Sequence, residues 1–123
     1  AENNTRDKLF CVLELFQDYI NNPFFCCCCP LLNVSTEVVD TTMVLKEKAL
    51  QALTVFRNSI ETIVINGKTH KEVNAIVNEK LVAIVMISSL EGAIMMSKLQ
   101  DSNNDIETVV KHLKNWIVAD VLL

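Results

Sequence analysis

An all-α domain is the fold class the sequence predicts, and three observations carry that reading. Gly and Pro number only 2 each in 123 residues, where average usage of roughly 7% and 5% would give about 15 together. Tight turns and strand ends draw on those residues, which argues against a meandering β-sandwich or barrel. Hydrophobic residues make up 50% of the chain, enough for a globular core and too many for a disordered segment. Long stretches also repeat apolar residues at the i, i+3, i+4, i+7 spacing of an amphipathic helix.

The first helix is expected over residues 7–22, where Leu9, Phe10, Leu13, Phe16, Tyr19 and Ile20 form one stripe. Thr5 or Asp7 can cap its start, and Asn21-Asn22-Pro23 stops it, because the residue before Pro avoids the α region. Residues 24–30 read as a loop, and a short helix is expected over 33–41 with Asn33 or Ser35 as cap. The segment 42–66 keeps helical spacing through Leu45, Ala49, Ala52, Leu53, Phe56, Ile60, Ile63 and Val64. Asn66-Gly67 is its expected stop, with Gly taking the left-handed conformation.

Residues 71–99 give the longest predicted helix, and its middle, 81–90, carries no charged side chain. A helix apolar all round is buried all round. In a domain this small one flank can face the core, and the other needs a partner subunit. After a polar turn at 101–105, Ile106, Val109, Val110, Leu113, Trp116, Ile117 and Val121 form a last amphipathic helix with Asp105 as N-cap. The expectation is a five-helix orthogonal or antiparallel bundle, one domain over 1–123, whose last two helices make a hairpin with surplus apolar surface.

Charge and cysteine content narrow the function classes. With 15 acidic against 11 basic residues the net charge is −4, a poor balance for nucleic-acid binding, which needs clustered Lys and Arg. The first residue is Ala rather than Met, as expected of a processed chain or a fragment. No signal peptide is expected, nor a membrane span, since the apolar run 81–96 is interrupted and shorter than the roughly 20 residues required. The expected setting is the cytoplasm.

Four of the 5 Cys are consecutive, Cys26 to Cys29, and the fifth is Cys11. That is no secreted disulfide framework. Cys26 and Cys29 have CxxC spacing, but zinc wants two more ligands, and His70 and His112 are distant in sequence. Neither metal nor cofactor is expected. A reactive-Cys sensor would require the run to bind metal or titrate quickly with thiol reagents.

The chain shows no GxSxG, Gly-rich phosphate loop or HExxH, and no enzyme activity is expected. Glu14/Asp18 and Glu37/Asp40 stand at helical spacing, as solvated helix faces also do. His70 and His112 read as surface residues. Phe10, Phe16, Phe25, Phe56 and Met86 lie on different elements, with Thr36, Ser59, Ser88 and Ser89 as small polar groups among them. Apolar walls with sparse polar anchors suit a small-molecule site, and the same residues would also fill a core.

Two stretches resemble a known family. Cys29-Pro30-Leu31-Leu32-Asn33, followed by Glu37 and Asp40, is similar to the Gly-Gly-Cys-Pro-Leu-Leu-Asn…Glu segment in one branch of the TetR-type transcriptional repressors. Ser89-Leu90-Glu91-Gly92-Ala93-Ile94-Met95-Met96-Ser97-Lys98, a polar turn and an amphipathic last helix are similar to the family's penultimate and final helices. Cys27 and Cys28 stand where that branch usually has Gly-Gly. No basic three-helix module precedes Asp7, so the resemblance covers the C-terminal ligand-binding and dimerisation domain. It implies DNA binding only through an N-terminal domain of the parent protein.

The resemblance implies a homodimer in which the last two helices of each subunit form a four-helix bundle. It also implies a small apolar or amphipathic effector among the earlier helices, which shifts the population of DNA-binding states. Carried onto this chain, the interface positions are Ile84, Ile87, Glu91, Met95, Val109, Leu113, Trp116 and Ile117. The ligand positions are Leu13, Phe16, Phe25, Leu32, Phe56, Ile60, Met86 and Ser89. The alternative is a helical-bundle interaction module that takes a partner protein's helix on the same hairpin without any DNA-linked function.

Overall fold

The computed structural model describes residues 4–19 and 43–123. Among them are four helices: α1 (Thr5–Tyr19), α2 (Met43–Thr69), α3 (Glu79–Gln100) and α4 (Asn104–Trp116), followed by one π-helical turn at Ile117–Val121. The predicted short helix over 33–41 lies outside the described residues, so four helices are seen rather than five. No strand occurs among the described residues, and an isolated antiparallel bridge joins Val73 to Leu122. Helices α2 and α4 each lie against both α1 and α3, closing a ring around one hydrophobic core.

Asn4, rather than Thr5 or Asp7, caps α1. Its Oδ1 accepts the Asp7 N–H at 2.7 Å, which satisfies one of the orphan donors of the first turn. Thr5 is unsuited to that role because its hydroxyl turns inward to the Glu72 carboxylate. Leu9 and Leu13 enter the core, while Arg6, Asp7, Glu14 and Asp18 stay outside. Period 3.6 thus gave the correct buried face.

Helix α2 runs past its expected stop to Thr69. Gly67 sits inside the helix without a positive φ, and the left-handed residue is Lys71, at φ 60°. The Glu72 and Val73 N–H groups return to the Gly67 carbonyl at 2.8 and 3.2 Å, closing the end of the helix. Gly67 answers a different need. A Cβ there would lie 2.5 Å from both Thr5 Oγ1 and Val73 Cγ2, so two other segments press against this turn.

The helix expected over 71–99 begins only at Glu79. Residues 70–78 form a loop held by the Val73–Leu122 bridge and by an Asn74 turn, in which the Val77 N–H donates to Asn74 O at 3.0 Å. Asn78 then caps α3, its Oδ1 accepting the Lys80 and Leu81 N–H groups at 2.9 and 3.3 Å. Lys68 Nζ pairs with Glu79 Oε2 across the loop at 2.9 Å.

Helix α3 buries Val82, Ala83, Met86, Ile87, Leu90, Ala93, Ile94 and Ser97. Asp101, left-handed at φ 51°, ends it. The expected cap of α4, Asp105, instead accepts from Gln100 Nε2 at 2.7 Å. The buried orphan N–H of Ile106 donates to Ser97 Oγ at 3.1 Å, so a serine of the preceding helix supplies the acceptor. Helix α4 buries Ile106, Val110 and Leu113, and the π-helical turn adds Ile117 and Val121. Lys114 binds Glu14 of α1 at 3.0 Å, and its ammonium and the Arg6 guanidinium lie 5.3 and 5.1 Å from the Phe10 ring centroid.

Candidate functional site

Of the expected ligand positions, those among the described residues lie on α1, α2 and α3, in or against the core. Leu13, Ile60 and Met86 are fully buried in the same cluster. Phe16 and Phe56 stack with ring centroids 5.3 Å apart and planes 7° from parallel. Two heptad-like stripes on adjacent helices bring these rings together, and such a pair adds about 0.5–1.5 kcal/mol beyond its area burial. Ser89 is half-buried on α3. Phe25 and Leu32 lie outside the described residues. The described side chains of this set are large and apolar with few hydrogen-bonding groups among them, and Leu13, Ile60 and Met86 are packed without exposure in the core.

The expected interface positions divide into two sets. Ile87, Leu113 and Ile117 are enclosed by their own chain, at 7%, 1% and 0% exposure. Glu91, Val109 and Trp116 are half-buried, and Ile84 and Met95 are exposed. Around the exposed pair the structure adds Leu81, Met96 and Leu99, which the carried-over positions missed. Leu81, Ile84, Ser88, Met95 and Leu99 fall at helical spacing on one outward side of α3. Gly92 lies between them, and nothing in the chain comes within 4 Å of where its Cβ would be. The all-round apolar character of 81–90 signalled such a face, but an apolar helix carries no mark of which side faces out.

At the N-terminal end of α3 the stripe opens into a groove of about 270 Å³ lined by Ile76, Val77, Asn78, Leu81, Val82, Trp116, Asp120 and Val121. Ile76 projects beside it, 88% exposed. By length and composition α3 is apolar enough to cross a membrane, yet its buried side packs against α2 and α4 as a core helix does.

Among the described residues no group of three His, Cys, Asp or Glu could hold a metal ion. Cys11 is an exposed free thiol, and the Cys26–Cys29 run lies outside the described residues. Of the carboxylate pairs at helical spacing, Glu14 is engaged by Lys114 and Asp18 is exposed, while Glu37 and Asp40 are not among the described residues. His70 is exposed and donates from Nδ1 to Asn66 O at 2.8 Å. His112 is exposed on α4. Glu79 has its carboxyl below the ordinary value, chiefly through the Lys68 hydrogen bond and then through a backbone N–H, as expected of the ion pair beside a helix start.

Comparison with known proteins accounts for this architecture. The family model described as tetracyclin repressor-like, C-terminal domain matches residues 5–113. No curated protein sequence matches the chain. A TetR transcriptional regulator from Chloroflexus aurantiacus J-10-FL is similar at 28% identity and TM-score 0.95, over 100% of this chain and 62% of that one. A TetR-family regulator from Cytophaga hutchinsonii is similar at 25% identity and TM-score 0.83, over 98% of this chain and 60% of that one. Escherichia coli NemR in its reduced form shares the fold, at 18% identity and TM-score 0.82, over 98% of this chain and 60% of that one. The chain thus spans about 60% of the length of these regulators. The family consists of transcriptional regulators rather than enzymes. With the family pattern running through 5–113 and the same helical frame in solved regulators, the chain belongs to the tetracyclin repressor-like C-terminal domain family of TetR transcriptional regulators.

Proposed function

We propose that this domain is the effector-sensing and dimerising part of a cytoplasmic transcriptional regulator whose DNA-binding part lies in a separate N-terminal domain. The effector is a small apolar or amphipathic molecule held near Leu13, Phe16, Phe56, Ile60, Met86 and Ser89; Phe25 and Leu32, which the sequence also assigns to the ligand, lie outside the described residues. Binding shifts the balance between two arrangements of the dimer, and so the spacing of its DNA-binding parts. Dimerisation runs through the outward side of α3 together with α4, with Ile84, Glu91, Met95, Val109 and Trp116 at the contact. Ile87, Leu113 and Ile117 support that surface from within.

The observation that carries the proposal is the unpartnered stripe Leu81, Ile84, Met95 and Leu99 around the open Gly92. An apolar strip of this length on a soluble domain marks an interaction surface, and a glycine with free space above it admits close approach of a second helix. Light scattering at micromolar concentration should report a dimer. The variants Ile84→Glu and Met95→Glu should each give a monomer of unchanged helicity. Both positions are exposed in the single chain, so a carboxylate is tolerated there until a partner desolvates it. A monomeric wild-type chain would overturn the proposal.

A further inference from the structure

Four separate segments converge where α1 begins. They are Thr5, the Gly67 turn of α2, the loop residues 72–74, and residues 121–123 at the end of the π-helical turn. Thr5, Val73 and Val121 are all buried there. The Glu72 carboxylate accepts the Thr5 backbone N–H on Oε2 at 3.4 Å and the Thr5 hydroxyl on Oε1 at 3.3 Å. These bonds are long, but the acceptor is a carboxylate facing the orphan donors of a helix N-terminus. The backbone of the same residue faces the other way. Glu72 O accepts the Leu123 N–H at 3.0 Å, and the Asn74 N–H donates to Val121 O at 3.0 Å, on either side of the Val73–Leu122 bridge. Gly67 makes the convergence possible, since any Cβ there would strike Thr5 and Val73 together.

We propose that residues 72–74 act as a two-ended clasp, in which the Glu72 side chain holds the start of α1 and its carbonyl holds the end of the α3–α4 hairpin. Displacement of either end is then passed to the other through one residue. The biological meaning rests on the function proposed above, because the clasp would connect the dimer-forming hairpin to whatever enters α1 from its N-terminal side. Lys71, held in the left-handed region immediately before Glu72, restricts the loop to one path. Coupling of this kind needs a packed element shared by both ends, and the buried Val73 side chain between Gly67 and the tail supplies it.

Amide hydrogen exchange on the full chain tests the clasp with one variant at each end. Leu123→Pro removes the N–H that donates to Glu72 O. Leu122 already has φ −79° and ψ 154°, the conformation that a residue before proline prefers, and the Leu123 side chain is exposed. Glu72→Gln removes the charge that faces Thr5. Each loss should be felt at the far end, with exchange of the Thr5, Asp7 and Lys8 amides about tenfold faster in Leu123→Pro, and of the Asn74 and Leu123 amides similarly faster in Glu72→Gln. Changes confined to the mutated end would overturn the clasp. Should Glu72→Gln lose its helical circular dichroism, Leu123→Pro alone decides, because it alters a single exposed position. Light scattering on the same samples separates the two proposals: a monomer with coupled exchange sinks the dimer alone, and a dimer with uncoupled exchange sinks the clasp alone.

Discussion

Gly67 and Gly92 are chemically identical and structurally opposite. Both lie inside long helices, where Gly costs about 1 kcal/mol relative to Ala. At Gly67 an added methyl meets Thr5 Oγ1 and Val73 Cγ2 at 2.5 Å, and both contacts come from short β-branched side chains that cannot swing aside. Overpacking of that kind costs about 1–3 kcal/mol and outweighs the gain in helix propensity. Gly67→Ala should therefore lower the urea midpoint, by about 1 kcal/mol net, and an unchanged or higher midpoint would show that the turn has room to yield. From sequence, Gly67 read as a helix terminator because Asn-Gly usually is one. The residue that takes the left-handed conformation is Lys71, and nothing in its side chain advertised it.

At the scale of the elements, α3 and α4 are joined by a serine near the end of one that caps the start of the other. Ser97 is buried, and its hydroxyl is the partner of the buried Ile106 N–H. Ser97→Ala leaves that donor unsatisfied, at a cost of about 1–3 kcal/mol. Asp105→Ala removes an exposed contact to Gln100 and should cost under about 0.5 kcal/mol. Chemical denaturation of the two variants checks the order, and a larger loss for Asp105→Ala would return the capping role to that residue. The buried stripes of α1, α2 and α4 were legible from spacing alone: Leu9, Leu13, Ile60, Ile106, Val110 and Leu113 all lie in the core. The start of α3 was not. Val73 and Val77 continue the apolar rhythm of the helix, yet Val73 is spent on a bridge to Leu122 and Asn74 on a turn. Periodicity registers which residues seek burial and is blind to the backbone path that buries them.

For the whole molecule, a partner changes the stability ledger. If folding and association are linked, the melting temperature rises with protein concentration, because anything that binds only the native state stabilises it by mass action. Melting curves of the wild type should move upward over about a hundredfold range of concentration, and those of Met95→Glu should not. Gly92→Ala sharpens the test. The chain alone leaves space for the methyl, so the isolated fold gains up to about 1 kcal/mol, while a second copy seated closely over Gly92 would be pushed away. A variant that dimerises as tightly as wild type places the close approach elsewhere on α3.

The residue pattern alone was enough to exclude a β-rich fold, to place the long helices and most of their inner faces, and to point to the family through two short motifs. Those features are local or periodic, and chain order expresses them directly. Which side of α3 meets water was decided only in three dimensions. Its middle is apolar on every side, so sequence gives no phase, and only the positions of α2 and α4 turn Ile87 and Leu90 inward while leaving Leu81, Ile84 and Leu99 outside. The same holds for the convergence at Glu72, where residues 5, 67, 72 and 123 meet. Hydrogen bonding and close contact between such distant positions arise from tertiary packing, which no spacing rule along the chain encodes.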